Sequence, residues 1–190
     1  MRILIADDEA LTRMGLRAML KDMGHTVVGA AADGVAALRM ACENQPDLAL
    51  LDIKMPGMDG LAVAQAIAER CPLPVVMLSA YSERDLVERA AATATVQAYL
   101  VKPVRETDLG PVLDLAASRF AEWTALQAEA AGRQQALEDR KLVGRAKGRL
   151  MECQGMSEAQ AFLEIQGRAR RARLTMRRVA EEILADEDRA

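Results

Sequence analysis

Short β-forming runs alternate with stretches of helical periodicity over roughly the first hundred positions, and no other feature limits the fold of this chain as tightly. The runs are Arg2–Ala6, Thr26–Ala30, Leu48–Leu51, Val75–Leu78 and Ala98–Val101. Between them lie Ala10–Met23, Val35–Cys42, Gly60–Glu69 and Ser82–Ala92, all with apolar residues at helical spacing. In the first of these the spaced residues are Leu11, Met14, Leu16, Met19, Leu20 and Met23, and Gly24 stops the pattern. Ser82 has the chemistry of an N-cap, and Pro46 and Pro103 end the elements before them. Strands joined through helices pair in parallel, and right-handed crossovers cover both faces of the sheet. The pattern predicts an α/β fold with a doubly wound five-stranded parallel sheet.

Beyond Thr107 the pattern changes. Gly110 and Pro111 are followed by Leu113, Ala116, Phe120, Trp123, Gln127, Ala130, Gln134 and Leu137, stepping by three and four. This is a heptad-like seam, read as a self-pairing coiled coil that continues the last helix of the first domain, with Pro111 in a first helical turn. Three further helices are predicted: Lys141–Cys153, one opened by Ser157 with Gln160 as a capping box, and one capped by Thr175 and running to Ala185. The expected organisation is a domain at 1–118, a helical linker at 107–138 and a small helical domain at 135–190.

Charge is segregated. The whole chain carries −3, yet residues 133–178 hold twelve Arg or Lys against five Asp or Glu, a net of +7. A polyanion would meet only that block. It contains one aromatic residue, Phe162, which excludes a base-stacking sheet. Charge alone leaves both RNA and DNA open, the latter through a helix-turn-helix.

No apolar run is long enough to span a bilayer, and acids follow the N-terminus at once, so neither a membrane segment nor a signal peptide is expected. Cys42, Cys71 and Cys153 have no zinc-ligand spacing and are read as three separate thiols of a cytoplasmic protein. The single histidine, His25, precedes an apolar run and is read as structural, which leaves no Ser-His-Asp triad.

In a doubly wound sheet chemistry gathers at the carboxyl ends of the strands. Those ends read Asp7-Asp8-Glu9, Asp52, Ser79 and Tyr99-Leu100-Val101-Lys102-Pro103. Crowded carboxylates repel, and a hard cation such as Mg²⁺ relieves them. Asp8 and Asp52 suit direct ligation and Asp7 suits ligation through water. Asp52 is the best phosphoryl acceptor, because an irregular exposed loop, Met55-Pro56-Gly57-Met58-Asp59-Gly60, follows it. Lys102 supplies positive charge, and Ser79 a hydroxyl for a phosphoryl oxygen.

With those residues the chain resembles the receiver domain of two-component response regulators. The matching segments are Asp7-Asp8, Leu51 to Gly60, Leu78-Ser79-Ala80-Tyr81 and Tyr99 to Pro103, within about residues 1–118. The resemblance implies a flavodoxin/CheY-like fold, Asp52 phosphorylated by a sensor histidine kinase, and Mg²⁺ held by Asp7, Asp8, Asp52 and the Lys54 carbonyl. It implies Ser79 and Tyr99 as a switch pair and Lys102 as the phosphate-contacting cation. Residues 90–98 depart from the family pattern, lacking its usual glycine and running about one residue long.

A second resemblance covers about residues 135–186. Leu142 to Met151, Gly155 to Phe162 and Val179-Ala180-Glu181 are similar to an ANTAR domain, which implies a three-helix RNA-binding module that promotes transcription antitermination on paired stem-loops. The RNA-contact candidates are Arg145, Ala146, Lys147, Phe162, Arg170, Arg173 and Arg177. The combined expectation is a cytoplasmic response regulator, not a metabolic enzyme, that dimerises when phosphorylated along Leu113, Ala116, Phe120, Trp123, Ala130 and Leu137. The alternatives are a response regulator whose output domain binds DNA and a Mg²⁺-dependent phosphatase. The adjacency of Asp7 and Asp8 argues against the phosphatase, whose haloacid-dehalogenase-type members separate their first-strand acids by one residue.

Overall fold

The computed structural model describes residues 1–80 and 95–185. The predicted helix Ser82–Ala92 lies outside the described residues. Two compact units are present, Met1–Thr124 and Ala125–Ala190.

The first unit contains β1 (Arg2–Ala6), α1 (Ala10–Asp22), β2 (Thr26–Ala31), α2 (Gly34–Asn44), β3 (Leu48–Asp52), α3 (Gly60–Arg70), β4 (Val75–Ser79) and β5 (Val96–Val101). The five strands form one parallel sheet in the order β2-β1-β3-β4-β5. Side chains alternate along each strand, so each strand feeds two cores. Leu4, Ala6, Ala49, Leu51, Val75 and Met77 pack on one face with Ala37 and Ala41 of α2 and Val63 and Ile67 of α3. Ile3, Ile5, Leu48, Leu50, Val76 and Leu78 pack on the other with Leu16 and Leu20 of α1.

Strand β5 begins two residues earlier than expected. Val75 faces Val96 and Val76 faces Ala98, so Gln97 is an extra residue bulged out of the ladder. A second bulge sits at Val28, because Ile3 faces Val27 and Leu4 faces Gly29. Each bulged carbonyl finds a side-chain donor: Asn44 reaches Val28 O at 2.9 Å, and Arg119 reaches Gln97 O at 3.3 Å. The bulge at Gln97 falls in the segment that runs long by the family pattern.

The predicted linker and the helix expected over Lys141–Cys153 are one element, α4 (Glu106–Gln154), 49 residues long. Nothing in the sequence stops it: Gly132, Gly144 and Gly148 have open space around them, and isolated glycines cost a helix only about 1 kcal/mol each. Pro111 falls in its second turn, not its first. The expected dimer seam is corrected at its start. Leu113 and Ala116 are fully buried against Ile3, Leu50 and Leu100, so they belong to the core of the first unit. Phe120 and Trp123 are half-buried with ring centroids 5.5 Å apart, and Ala130 and Leu137 are exposed.

In the second unit, Ala146 and Leu150 of α4 pack with Ala161, Ile165 and Ala169 of α5 (Glu158–Ala172) and with Val179, Ala180 and Ile183 of α6 (Met176–Ala185). The predicted capping box is present, with Ser157 and Gln160 each accepting from the other's backbone N–H. Thr175 caps α6 by accepting from Arg178 N. Arg173 ends α5 in the left-handed region, at φ 55°.

The cysteine reading is also corrected. Cys42 and Cys71 are joined as a disulfide, and Cys153 is exposed with a free thiol. Cys42 lies on α2 and Cys71 caps the end of α3, and these helices pack together, a relation their spacing of 29 residues does not announce.

Candidate functional site: an acidic cluster and a basic helical surface

All strands of the first unit run the same way, so their carboxyl ends share one edge, and that edge carries the acids. Asp7 follows β1, where its N–H continues the ladder to Ala31 O at 3.2 Å. Asp52 is the last residue of β3, Ser79 the last of β4, and Lys102 follows β5. Lys102 N donates to Ser79 O at 2.9 Å, which fixes the start of the lysine's reach. Its Nζ lies 2.8 Å from Asp7 Oδ2 and 2.8 Å from Asp52 Oδ1. Carboxylate oxygens of Asp7, Asp8 and Asp52 all lie within 4.8 Å of one another.

Burial sets the electrostatics. Asp7 is 0% exposed and Asp52 6%, whereas Asp8 faces solvent. Burial pushes the Asp52 carboxyl above the usual carboxylate range, and the Lys102 hydrogen bond and charge oppose that rise. Burial pulls the Lys102 ammonium down, but hydrogen bonds and charge from Asp52 and Asp7 outweigh it and hold the ammonium above its ordinary value. Burial raises the Tyr99 phenol. Tyr99 sits in β5 opposite Met77, half-buried, and Ser79 is buried at the strand end.

Asp7 Oδ2 is fully buried and meets a single donor among the described residues, the Lys102 ammonium at 2.8 Å. One ammonium shared by two buried carboxylates, with a third carboxylate alongside, leaves spare lone pairs in an all-oxygen set that fits a hard divalent cation. The residues present therefore fit Mg²⁺. Lys54 lies in the exposed start of the loop after β3.

That loop is held close. Asp59 caps α3 by accepting from Ala62 N at 2.7 Å, and Gly60 N donates to Ile53 O at 2.8 Å. A Cβ on Gly60 would overlap the Asp52 backbone carbonyl, so only glycine lets α3 start this near the acid. Sequence reasoning missed Arg13. Its guanidinium donates to Asp7 O at 2.7 Å and to Asp8 O at 3.0 Å, fastening the first turns of α1 to the acidic segment. The signal was there: a cation one helical turn beyond the acids, on a helix whose start the acids define. Beside the cluster, Glu9, Thr12, Gly15, Leu16, Met19, Lys102, Pro103 and Val104 line an open groove of about 430 Å³. Leu11 and Met14, elsewhere on α1, are 82% and 68% exposed.

The basic candidates of the second unit divide into groups. Ala146 is corrected: it is fully buried in the helical core, where a nucleic acid cannot reach it. Arg177 bonds Asp139 and Glu181, both at 2.9 Å, tying α6 to α4. The Asp139 carboxyl is held down by Gln135 and then by Arg177, and the Arg177 guanidinium is held up by its two acids. Lys147 is half-buried and pairs with Glu158 at 2.6 Å, which keeps that carboxyl below its usual range. Arg145, Arg170 and Arg173 are exposed and make no ion pair among the described residues. Phe162 is 41% exposed.

Comparison with known proteins gives two family matches: the response regulator receiver domain over residues 3–114 and the ANTAR domain over residues 131–184. The transcriptional regulatory protein PdtaR of Mycobacterium tuberculosis is 51% identical over 183 residues, spanning 96% of this chain and 89% of that protein. Among solved structures, the receiver domain of NarL from Mycobacterium tuberculosis matches with a TM-score of 0.56 at 39% identity, over 60% of this chain and 94% of that one. The receiver domain of a modulated diguanylate cyclase from Desulfovibrio desulfuricans matches with a TM-score of 0.58 at 30% identity, over 63% and 94%.

Proposed function

The chain belongs to the response regulators that join a receiver domain to an ANTAR domain, and from that premise we propose that a phosphoryl group on Asp52 controls RNA binding by the C-terminal helices. The observation that carries the receiver half is the sharing of Lys102 between Asp7 and Asp52 at the carboxyl edge, with Asp8 alongside.

A carboxylate oxygen of Asp52 attacks phosphorus of a phosphohistidine on a sensor kinase. A P–O bond forms, the P–N bond breaks, and the imidazole leaves with its electron pair. Mg²⁺, when bound by Asp7, Asp8, Asp52 and the Lys54 carbonyl, supplies charge neutralisation for the transferring group. Lys102 turns from the Asp52 carboxylate to the new phosphoryl oxygen while keeping Asp7. Ser79 donates its hydroxyl to a second phosphoryl oxygen, and Tyr99 reorients behind it. The groove beside Lys102, together with Leu11 and Met14 exposed on the same helix α1, supports docking of the kinase on this side.

The output reading rests on the ANTAR match together with Arg145, Arg170 and Arg173, which carry no ion pair among the described residues. These cations meet RNA phosphates without first giving up a carboxylate, whereas Lys147 must leave Glu158. Phosphorylated chains pair through Phe120, Trp123, Ala130 and Leu137, joined by the exposed Leu126, and two modules then engage two stem-loops with the gain of avidity. The protein acts in the cytoplasm as an antiterminator and not as a metabolic enzyme. No helix among the described residues is long and apolar enough to cross a membrane.

The test is phosphoryl uptake from labelled acetyl phosphate, followed by competition between a two-hairpin RNA and a DNA duplex of equal length at fixed salt. Asp52→Asn abolishes uptake, and the hairpin RNA wins the competition. Label persisting on Asp52→Asn contradicts the acceptor; preference for the duplex contradicts the RNA output and favours a DNA-binding one.

A further inference from the structure

Helices α2 and α3 are joined at both ends. At the end near Asp52, Gly34 N donates to Pro56 O at 3.4 Å, and a Cβ on Gly34 would overlap the backbone carbonyl of Met58. At the far end, Cys42 in the last turns of α2 is bonded to Cys71, the C-cap of α3, with Cα atoms 5.4 Å apart. Between these ties the helices share one core through Ala37, Ala41, Val63 and Ile67. The covalent ring closed by the two cysteines encloses β3, Asp52, the Met55–Gly60 loop and α3. Both cysteines are half-buried, so neither is sealed inside the core, and the packed helices hold them in register.

We propose that Cys42 and Cys71 form a reversible thiol–disulfide couple, exchanging with small disulfides, whose state sets how firmly α2 grips the loop after Asp52 and thereby the lifetime of a phosphoryl group on that residue. The last clause rests on Asp52 being the acceptor. One cysteine thiolate attacks a small disulfide RSSR, forming a mixed disulfide and expelling RS⁻. The second thiolate attacks the cysteine sulfur of the mixed disulfide and expels another RS⁻. The two cysteines lose two electrons, RSSR is reduced to two RSH, and the two thiol protons end on the released thiolates. In the reduced state α2 stays tied to α3 and the loop through their shared packing and the Gly34 contact, without the covalent bond. The loop then opens more often, because local opening follows the number of ties a segment has. In the reducing cytoplasm proposed above, a disulfide is the regulatory kind far more often than the structural kind.

The experiment uses the full chain carrying Cys153→Ser, equilibrated across a series of ratios of glutathione to its disulfide. Intact mass and peptide mapping read the Cys42–Cys71 bond, and amide exchange reads residues 53–60. The half-life of label on Asp52 is read in each redox state, with Cys42→Ser and Cys71→Ser as controls locked open. The bond is expected to form and break reversibly within the series, with loop amides exchanging at least about threefold more slowly when oxidised. The phosphoryl half-life is expected to change by a similar factor in the parent and in neither control. Absence of the bond at every ratio, identical loop exchange in the two states, or an unchanged half-life overturns the proposal. If Asp52 takes no label, the acceptor reading falls, and the bond and loop exchange still decide the redox couple. The oxidised and reduced forms are one polypeptide, so the comparison between them does not depend on a variant folding.

Discussion

Lys102 serves two carboxylates at once, and removing it leaves Asp7 and Asp52 facing each other across a buried edge. Lys102→Met is expected to lower stability by about 2 kcal/mol in the absence of divalent ions, less than for a fully buried pair because the lysine is partly exposed. Millimolar Mg²⁺ should raise the melting temperature of the variant more than that of the parent, because the cation replaces the missing charge. Equal melting with and without Mg²⁺ contradicts the cluster as a cation site. In the second unit, Glu158→Gln releases Lys147 from its 2.6 Å pair. Filter binding should then show tighter RNA capture with a salt slope steeper by about one counterion; an unchanged slope removes Lys147 from the interface. The convergence of Asp7, Asp8, Asp52, Ser79 and Lys102 on one edge was legible in the sequence, because parallel pairing sends every strand's carboxyl end the same way. The structural duty of Arg177 was not, because its partner Asp139 is 38 residues away and only packing brings them together. The burial of Ala146 was hidden because a motif match carries no information on which side of a helix faces the core.

At the scale of elements, the strands and most helix starts followed from periodicity and caps, and Ser157 with Gln160 formed the box their spacing predicts. Periodicity gave the helical face over Leu113–Leu137 but not its partner. Leu113 and Ala116 lean on the sheet, while Ala130 and Leu137 face solvent, and one 3.6-residue repeat serves both. The length of α4 was hidden because the expected boundary falls where the apolar seam ends at Leu137, and the end of an apolar stripe does not stop a helix. The bond between Cys42 and Cys71 was invisible for a related reason: a pair 29 residues apart becomes adjacent only once α2 and α3 pack. Gly167 lies inside α5, where an added Cβ meets only the flexible end of Arg171 at 3.2 Å. Gly167→Ala is expected to stabilise the second unit by about 1 kcal/mol, read as a higher denaturant midpoint. A lower midpoint means the arginine cannot move aside, and the glycine is then there for packing.

At the scale of the whole molecule, an acidic, cation-fitting edge and a basic helical surface belong to separate compact units on one chain. Each unit has its own core, so each should keep its fold when the other's site is altered. The proposed function then lies in the coupling: a ligand at Asp52 changes RNA affinity only if it favours one of two states of the chain, by an amount equal to its differential binding to them. A tenfold change in affinity corresponds to about 1.4 kcal/mol of coupling, well within what a charged group on a buried carboxylate supplies. The most direct measurement is the affinity of the full chain for a two-hairpin RNA with and without beryllofluoride, at fixed salt and with Mg²⁺ present, in the parent and in Asp52→Asn. The account predicts at least about tenfold tighter binding with the phosphoryl mimic in the parent and no change in Asp52→Asn. Equal affinity with and without the mimic in the parent contradicts it.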